Sequence, residues 1–169
     1  IDGTGQHGVN ILGNTGTVAI NGGAIGASND PAGRGVSING GSANIDIAAA
    51  LTKTTSGNIV NVQSRTGGAI TFSGNLSATL GFNNGISLAN NSGGSTTFSG
   101  ATKTISTGAN LGVSLTNNTG HTINFTNGGL DIDTTSLTGF RAEVGGTINV
   151  TGAGNTVNTT TGRILDLNG

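Results

Sequence analysis

Two carboxylates one residue apart, Asp131 and Asp133, are the strongest candidates for chemistry in this chain. In an extended segment they flank Ile132 and share a face, where such a pair could pass a proton or hold a cation. Arg141 and Glu143 follow on the next apolar segment, and Lys103 stands earlier, so mixed charge is within reach of an acid–base role. The chain has no cysteine, which excludes thiolate chemistry, disulfides and Cys-ligated metals. No Ser/His/Asp arrangement, phosphate-binding loop or zinc-ligand spacing is present, and Gly-x-Gly patterns are expected by chance in a chain with 33 glycines.

The elements that must position these residues follow from composition. Gly, Thr, Asn and Ser (33, 27, 22 and 14 residues) dominate the 169, and charged residues are only 8%. All four lie below alanine in helix propensity, so a helical fold is disfavoured. Disorder is disfavoured too, because Ile and Val recur throughout and charge is scarce. A net charge of −1 argues against nucleic acid, which requires clustered cations. The longest apolar run, Ile47 to Leu51, is far short of the roughly 20 residues of a membrane helix.

A repeat organises the rest. The hexad Ala69-Ile70-Thr71-Phe72-Ser73-Gly74 returns as Ser95–Gly100, Thr122–Asn127 and Thr147–Gly152, with looser copies at Asn44–Ile47 and Thr17–Ile20. Its first apolar site falls at 18, 45, 70, 96, 123 and 148, in steps of 25 to 27 that average about 26. A second series runs out of phase at Val9, Val36, Val60, Ile86, Val113, Phe140 and Leu165. A third and weaker series contains Ile25, Leu51, Leu76, Leu130 and Val157, its register open at Lys103 and Ile105.

Three alternating segments per repeat predict an all-β, three-stranded parallel β-helix (β-solenoid), right-handed in preference to left, with six to seven coils of about 26 residues. Residues 1–169 form a single solenoid domain in this reading. Stacked at about 4.8 Å per coil, the rod is roughly 30 Å long. Phe72, Phe98 and Phe125 are expected to stack inward with Val150 above them, beside a column of Ile70, Thr96, Ile123 and Ile148. Thr96 breaks that column and needs a backbone or water partner. Glycine pairs such as Gly40-Gly41, Gly67-Gly68, Gly93-Gly94 and Gly145-Gly146 mark corners, and Asn90-Asn91 and Asn117-Asn118 mark corner asparagines able to bond between coils.

In this frame the outward positions of the hexad strand form a flat, uncharged polar face: Thr71 and Ser73, Thr97 and Ser99, Asn124 and Thr126, Asn149 and Thr151. Regular arrays of this kind order water and bind ice in some solenoids; good strand propensity and solubility are the plainer account. Enzymatic β-helices that degrade pectin carry acidic clusters on neighbouring coils, but the positions aligned with Asp131 one coil away, Thr104 and Thr156, are not acidic. Solubilising charge is the plainer account of Asp131 and Asp133. His7 and His121 lie about four coils apart, too far for a joint metal site, and His121 is expected to be a surface imidazole. No cofactor or metal is called for.

The segments Gly112-Val113-Ser114-Leu115-Thr116-Asn117-Asn118-Thr119-Gly120, Thr122-Ile123-Asn124-Phe125 and Gly145-Gly146-Thr147-Ile148-Asn149-Val150-Thr151-Gly152 resemble the β-helical repeats of large bacterial surface and secreted proteins. Filamentous-haemagglutinin-like adhesins, autotransporter passengers and giant exoproteins share them. The resemblance covers most of the chain, best from Gly57 to Gly169, and implies an extracellular or cell-surface stalk, adhesin or matrix fibre. It implies a non-enzymatic role, with a polysaccharide lyase- or hydrolase-like activity, or ice and surface binding, as alternatives. The expected partners are further copies or coils stacked end to end, with surface carbohydrate as a second candidate. Because Ile1 is not a start residue, a processed product, a fragment or a segment of something longer is expected, and the lack of an encoded cap predicts end-to-end stacking, as filament protomers or as one segment of a longer rod.

Overall fold

In the computed structural model, which describes residues 1–79, 85–144 and 146–169, the backbone winds through three parallel sheets. The first has seven strands, from Val9–Leu12 to Leu165–Asn168. The second has six, from Val18–Ile20 to Thr147–Val150, and the third six, from Ala24–Ile25 to Thr156–Thr159. Each strand pairs with its counterpart one repeat away, so the sequence period and the hydrogen-bond register are the same quantity. Val9, Val36, Val60, Ile86, Val113, Phe140 and Leu165 align in one row. Val18, Ile45, Ile70, Thr96, Ile123 and Ile148 align in another. No helix occurs among the described residues.

Alternation explains the core. In Leu76–Thr79 and Thr122–Phe125, every second side chain turns inward and is buried, while its neighbours face out. The rings of Phe72, Phe98 and Phe125 stack at centroid distances of 5.1 and 4.9 Å, and Phe140 closes the group edge-on at 5.9 Å. One packing exchange runs along the corner before the first sheet. A Cβ on Gly85, Gly112 or Gly139 would meet Ile105, Ile132 or Val157 at 2.2–2.4 Å. Ile59 occupies the position of Gly85, and there Ala78 stands where the next coil has Ile105. Large-with-small is conserved from coil to coil although the residues swap sides.

Two backbone devices turn the corners. Gly68 and Gly94 adopt φ of 73° and 80°, and a Cβ on them would lie 2.3 and 2.2 Å from the carbonyl oxygens of Ser42 and Gly68. Only glycine fits both the dihedral and the space. Gly145, counted among the expected corner glycines, lies outside the described residues. The second device is a left-handed residue directly after six of the seven first-sheet strands: Gly13 and Gly40 come first, then Ser64, Asn90, Asn117 and Val144 with φ of 57°, 57°, 53° and 56°. Asn117 Nδ2 donates to Asn90 Oδ1 at 3.2 Å, one coil below. Asparagine adopts this conformation at little cost, whereas a β-branched valine is strained in it. Val144→Asn is therefore expected to stabilise the protein by about 1 kcal/mol, by relieving a strained β-branched residue and extending the amide stack. Denaturant titration checks it: the midpoint rises while the slope is unchanged.

Candidate functional site

Thr71, Thr97, Asn124 and Asn149 line one outward column of the second sheet in direct register, as the hexad alignment predicts. Ser73, Ser99, Thr126 and Thr151, just past these strands, are likewise at least partly open to solvent. The column is not a set of free hydroxyls. Asn124 Nδ2 donates to Thr97 Oγ1 at 3.2 Å, and Asn149 Nδ2 to Asn124 Oδ1 at 2.8 Å, so these side chains bond to each other along the rod. Their polar capacity toward a ligand is reduced accordingly.

Asp131 and Asp133 also face outward from the third sheet, on either side of buried Ile132. Their partners lie one coil above: the Thr156 hydroxyl donates to Asp131, and Asn158 Nδ2 donates to Asp133 Oδ1 at 3.1 Å. A shallow polar cavity of about 270 Å³ lies beside Asp133, lined also by Ser106, Thr135, Asn158 and Thr160. Arg141 does not serve these carboxylates. It bonds Glu143, and its Nε lies 3.8 Å from Asp166 on the next coil of the first sheet.

Three expectations are corrected here. Lys103 is not on the face of Asp131 and Asp133. It aligns with Leu76 and Leu130, points into the core and is fully buried. Its Nζ donates to Gly100 O at 2.5 Å and Thr126 O at 3.0 Å, and burial lowers its pKa. Its long stem fills a leucine position while the ammonium reaches corner carbonyls, which a hydropathy pattern cannot distinguish from an outward lysine. His121 is not a surface imidazole but 1% exposed. It turns inward from the corner and bonds Thr96 Oγ1 through Nε2 at 3.0 Å, so the partner Thr96 needs is a side chain from the next coil rather than backbone or water.

Around His121 lies a buried polar column that sequence reasoning missed as a unit. Asn91 Nδ2 donates to Asn118 Oδ1 at 2.7 Å, and Asn118 Nδ2 to Leu88 O at 3.0 Å. One coil below, the Arg65 amide donates to Asn91 Oδ1, and the Arg65 guanidinium donates to the carbonyls of Gly40, Ala43 and Gly67 at 2.6–2.9 Å. Burial lowers the Arg65 pKa. The available signal was the spacing: Arg65, Asn91 and Asn118 are 26 and 27 residues apart.

Lys53 and Asp30 make a buried ion pair, joined at 2.9 Å. Lys53 Nζ also donates to Pro31 O at 2.8 Å and Thr55 Oγ1 at 2.5 Å. Asp30 further accepts from the amides and hydroxyls of Thr54 and Thr55 at 2.9–3.0 Å. Burial by itself would raise the Asp30 pKa; the bonds from Lys53 and from the two threonines outweigh it and hold the carboxyl well below the usual range. This cluster ties the loop that contains the single proline to the coil above it.

Among the described residues no group of three or more His, Cys, Asp or Glu side chains could hold a metal ion, and no helix is long and apolar enough to cross a membrane. Comparison of the chain with family models, with curated proteins and with solved structures finds no match. The assignment to a β-solenoid of stacked parallel coils therefore stands on the sheet register itself.

Proposed function

We propose that this chain is a structural or adhesive rod segment of an extracellular or cell-surface protein, with no catalytic step of its own. The observation that carries the reading is the last coil. There Val150, Leu165 and Leu167 are 44%, 55% and 64% exposed although their counterparts in the coils below are buried. With Phe140 and Ile148 they surround an open apolar cavity of about 380 Å³. Among the described residues, the strands Thr147–Val150, Thr156–Thr159 and Leu165–Asn168 each present an outer edge with no strand on it. Unpaired edges over an open core favour a further parallel coil. Stacking end to end on this surface extends the rod by the same contacts that hold it together. The Gly-, Asn- and Thr-rich composition, free of cysteine, suits an exported fibre.

Analytical ultracentrifugation with negative-stain microscopy tests this. End-to-end assemblies are expected at high protein concentration, and Leu165→Asp with Leu167→Asp is expected to abolish them. A wild-type chain that stays monomeric at hundreds of micromolar overturns the stacking. A polysaccharide-degradation screen with and without Ca²⁺ addresses the carbohydrate-active alternative through Asp131 and Asp133. Turnover that disappears in Asp131→Asn overturns the structural reading.

A further inference from the structure

His121 sits where two coils meet, with both ring nitrogens engaged. Nδ1 lies 2.7 Å from Gly93 O, which can only accept, so Nδ1 carries the hydrogen. Nε2 is then the acceptor for the Thr96 hydroxyl at 3.0 Å. Thr96 is fully buried between Ile70 and Ile123 in its column, and Gly93 and Thr96 both belong to the coil below His121. The neutral imidazole thus satisfies one carbonyl and one hydroxyl and bridges the coils.

A proton on Nε2 breaks this arrangement in two ways. The Thr96 oxygen must turn from donor to acceptor, which leaves its hydroxyl hydrogen without an acceptor in an apolar column. The new charge also joins a core that already holds two cations neutralised by no carboxylate. Arg65, the charged group set against His121 along the Asn91–Asn118 column, bonds the carbonyls of Gly40, Ala43 and Gly67. Lys103, farther off in the core, bonds Gly100 and Thr126 carbonyls. Among the described residues, the ion pairs involve Lys53, Arg141 and Arg163, and none reaches His121, Arg65 or Lys103.

We propose that His121 and Thr96 form an acid-sensitive joint, which clamps two coils in the middle of the rod while the imidazole is neutral and loosens them when it takes up a proton. Burial, and secondarily Arg65, lower the His121 pKa in the fold, while the Gly93 bond works in the other direction. The sign follows. The folded state binds fewer protons than the unfolded one below the ordinary imidazole value of about 6.5, so the stability His121 contributes is complete above that pH and lost as the pH falls through it.

Urea unfolding of the full chain between pH 7.5 and 5.0 tests this with wild type, His121→Gln and His7→Gln. His7 is the necessary control, since burial and then Arg34 lower its pKa as well. Below about pH 6.5 the wild-type unfolding constant is expected to rise up to about tenfold per pH unit faster than that of His121→Gln. His7→Gln is expected to retain that extra slope. Equal slopes in wild type and His121→Gln, or loss of the slope only in His7→Gln, overturn the proposal. Should His121→Gln fail to fold, the ring resonances of the wild-type chain decide. A His121 ring that titrates below the ordinary value of about 6.5, with a protected Thr96 amide, supports the joint; one that titrates near 6.5 or above in the folded protein overturns it.

Discussion

Phe98→Ala is expected to destabilise the protein by about 3–5 kcal/mol, among the largest effects of any apolar substitution in the chain. The ring lies between Phe72 and Phe125 at 5.1 and 4.9 Å and nearly parallel to both, and it is 1% exposed. Removing it leaves a void that the neighbours cannot close. Their separation is set by backbone hydrogen bonds on both sides of the Gly93–Phe98 strand, at the fixed spacing of stacked coils. Against a typical total of about 5–15 kcal/mol the loss is a large fraction of the whole. Hydrogen exchange should show it as faster opening of the coils that contain Phe72, Phe98 and Phe125. A loss below about 1 kcal/mol would mean that the stack relaxes and that the rod is less rigid than its register implies.

Lys53→Met is expected to cost a similar amount, about 3–5 kcal/mol, for an electrostatic reason. The substitution keeps most of the buried stem but leaves the Asp30 carboxylate without its cation in a site that is almost closed to solvent. The pair itself is not the source of so large a number; the uncompensated charge left behind is. Adding Asp30→Asn should therefore recover a substantial part of the loss, and a double-mutant cycle measures how much. The pH dependence separates this from simple packing. Because the Asp30 pKa is depressed in the fold, its contribution is present above the ordinary carboxyl value of about 3.9 and fades as the pH falls below it. In Lys53→Met that acid limb should be shallower than in wild type. An unchanged limb would assign the effect to lost methylene contacts.

The amino-acid sequence by itself determined the architecture. A parallel solenoid repeats one hydrogen-bonded register, so residues such as Val113 and Phe140, or Thr97 and Asn124, which are 27 apart in sequence, are direct neighbours in space. Periodicity then carries the tertiary contacts, the inward phenylalanine stack and the outward polar column. The outward placement of Asp131 and Asp133 was legible on the same ground, because strand alternation leaves a residue next to buried Ile132 no other direction. What only the tertiary structure decided was the fate of the polar residues in or beside the core. Lys103 and Lys53 take inward positions because their stems pack like aliphatic side chains while their ammonium groups reach corner carbonyls or a carboxylate from the coil below. His121 is buried because Thr96 and Gly93, one coil below, supply its two partners. Ile59 is accommodated because Ala78 is small. Periodicity places a residue on a face, but burying a polar or bulky side chain there depends on one particular partner brought near by the stacking of coils, and that pairing is encoded in no local pattern.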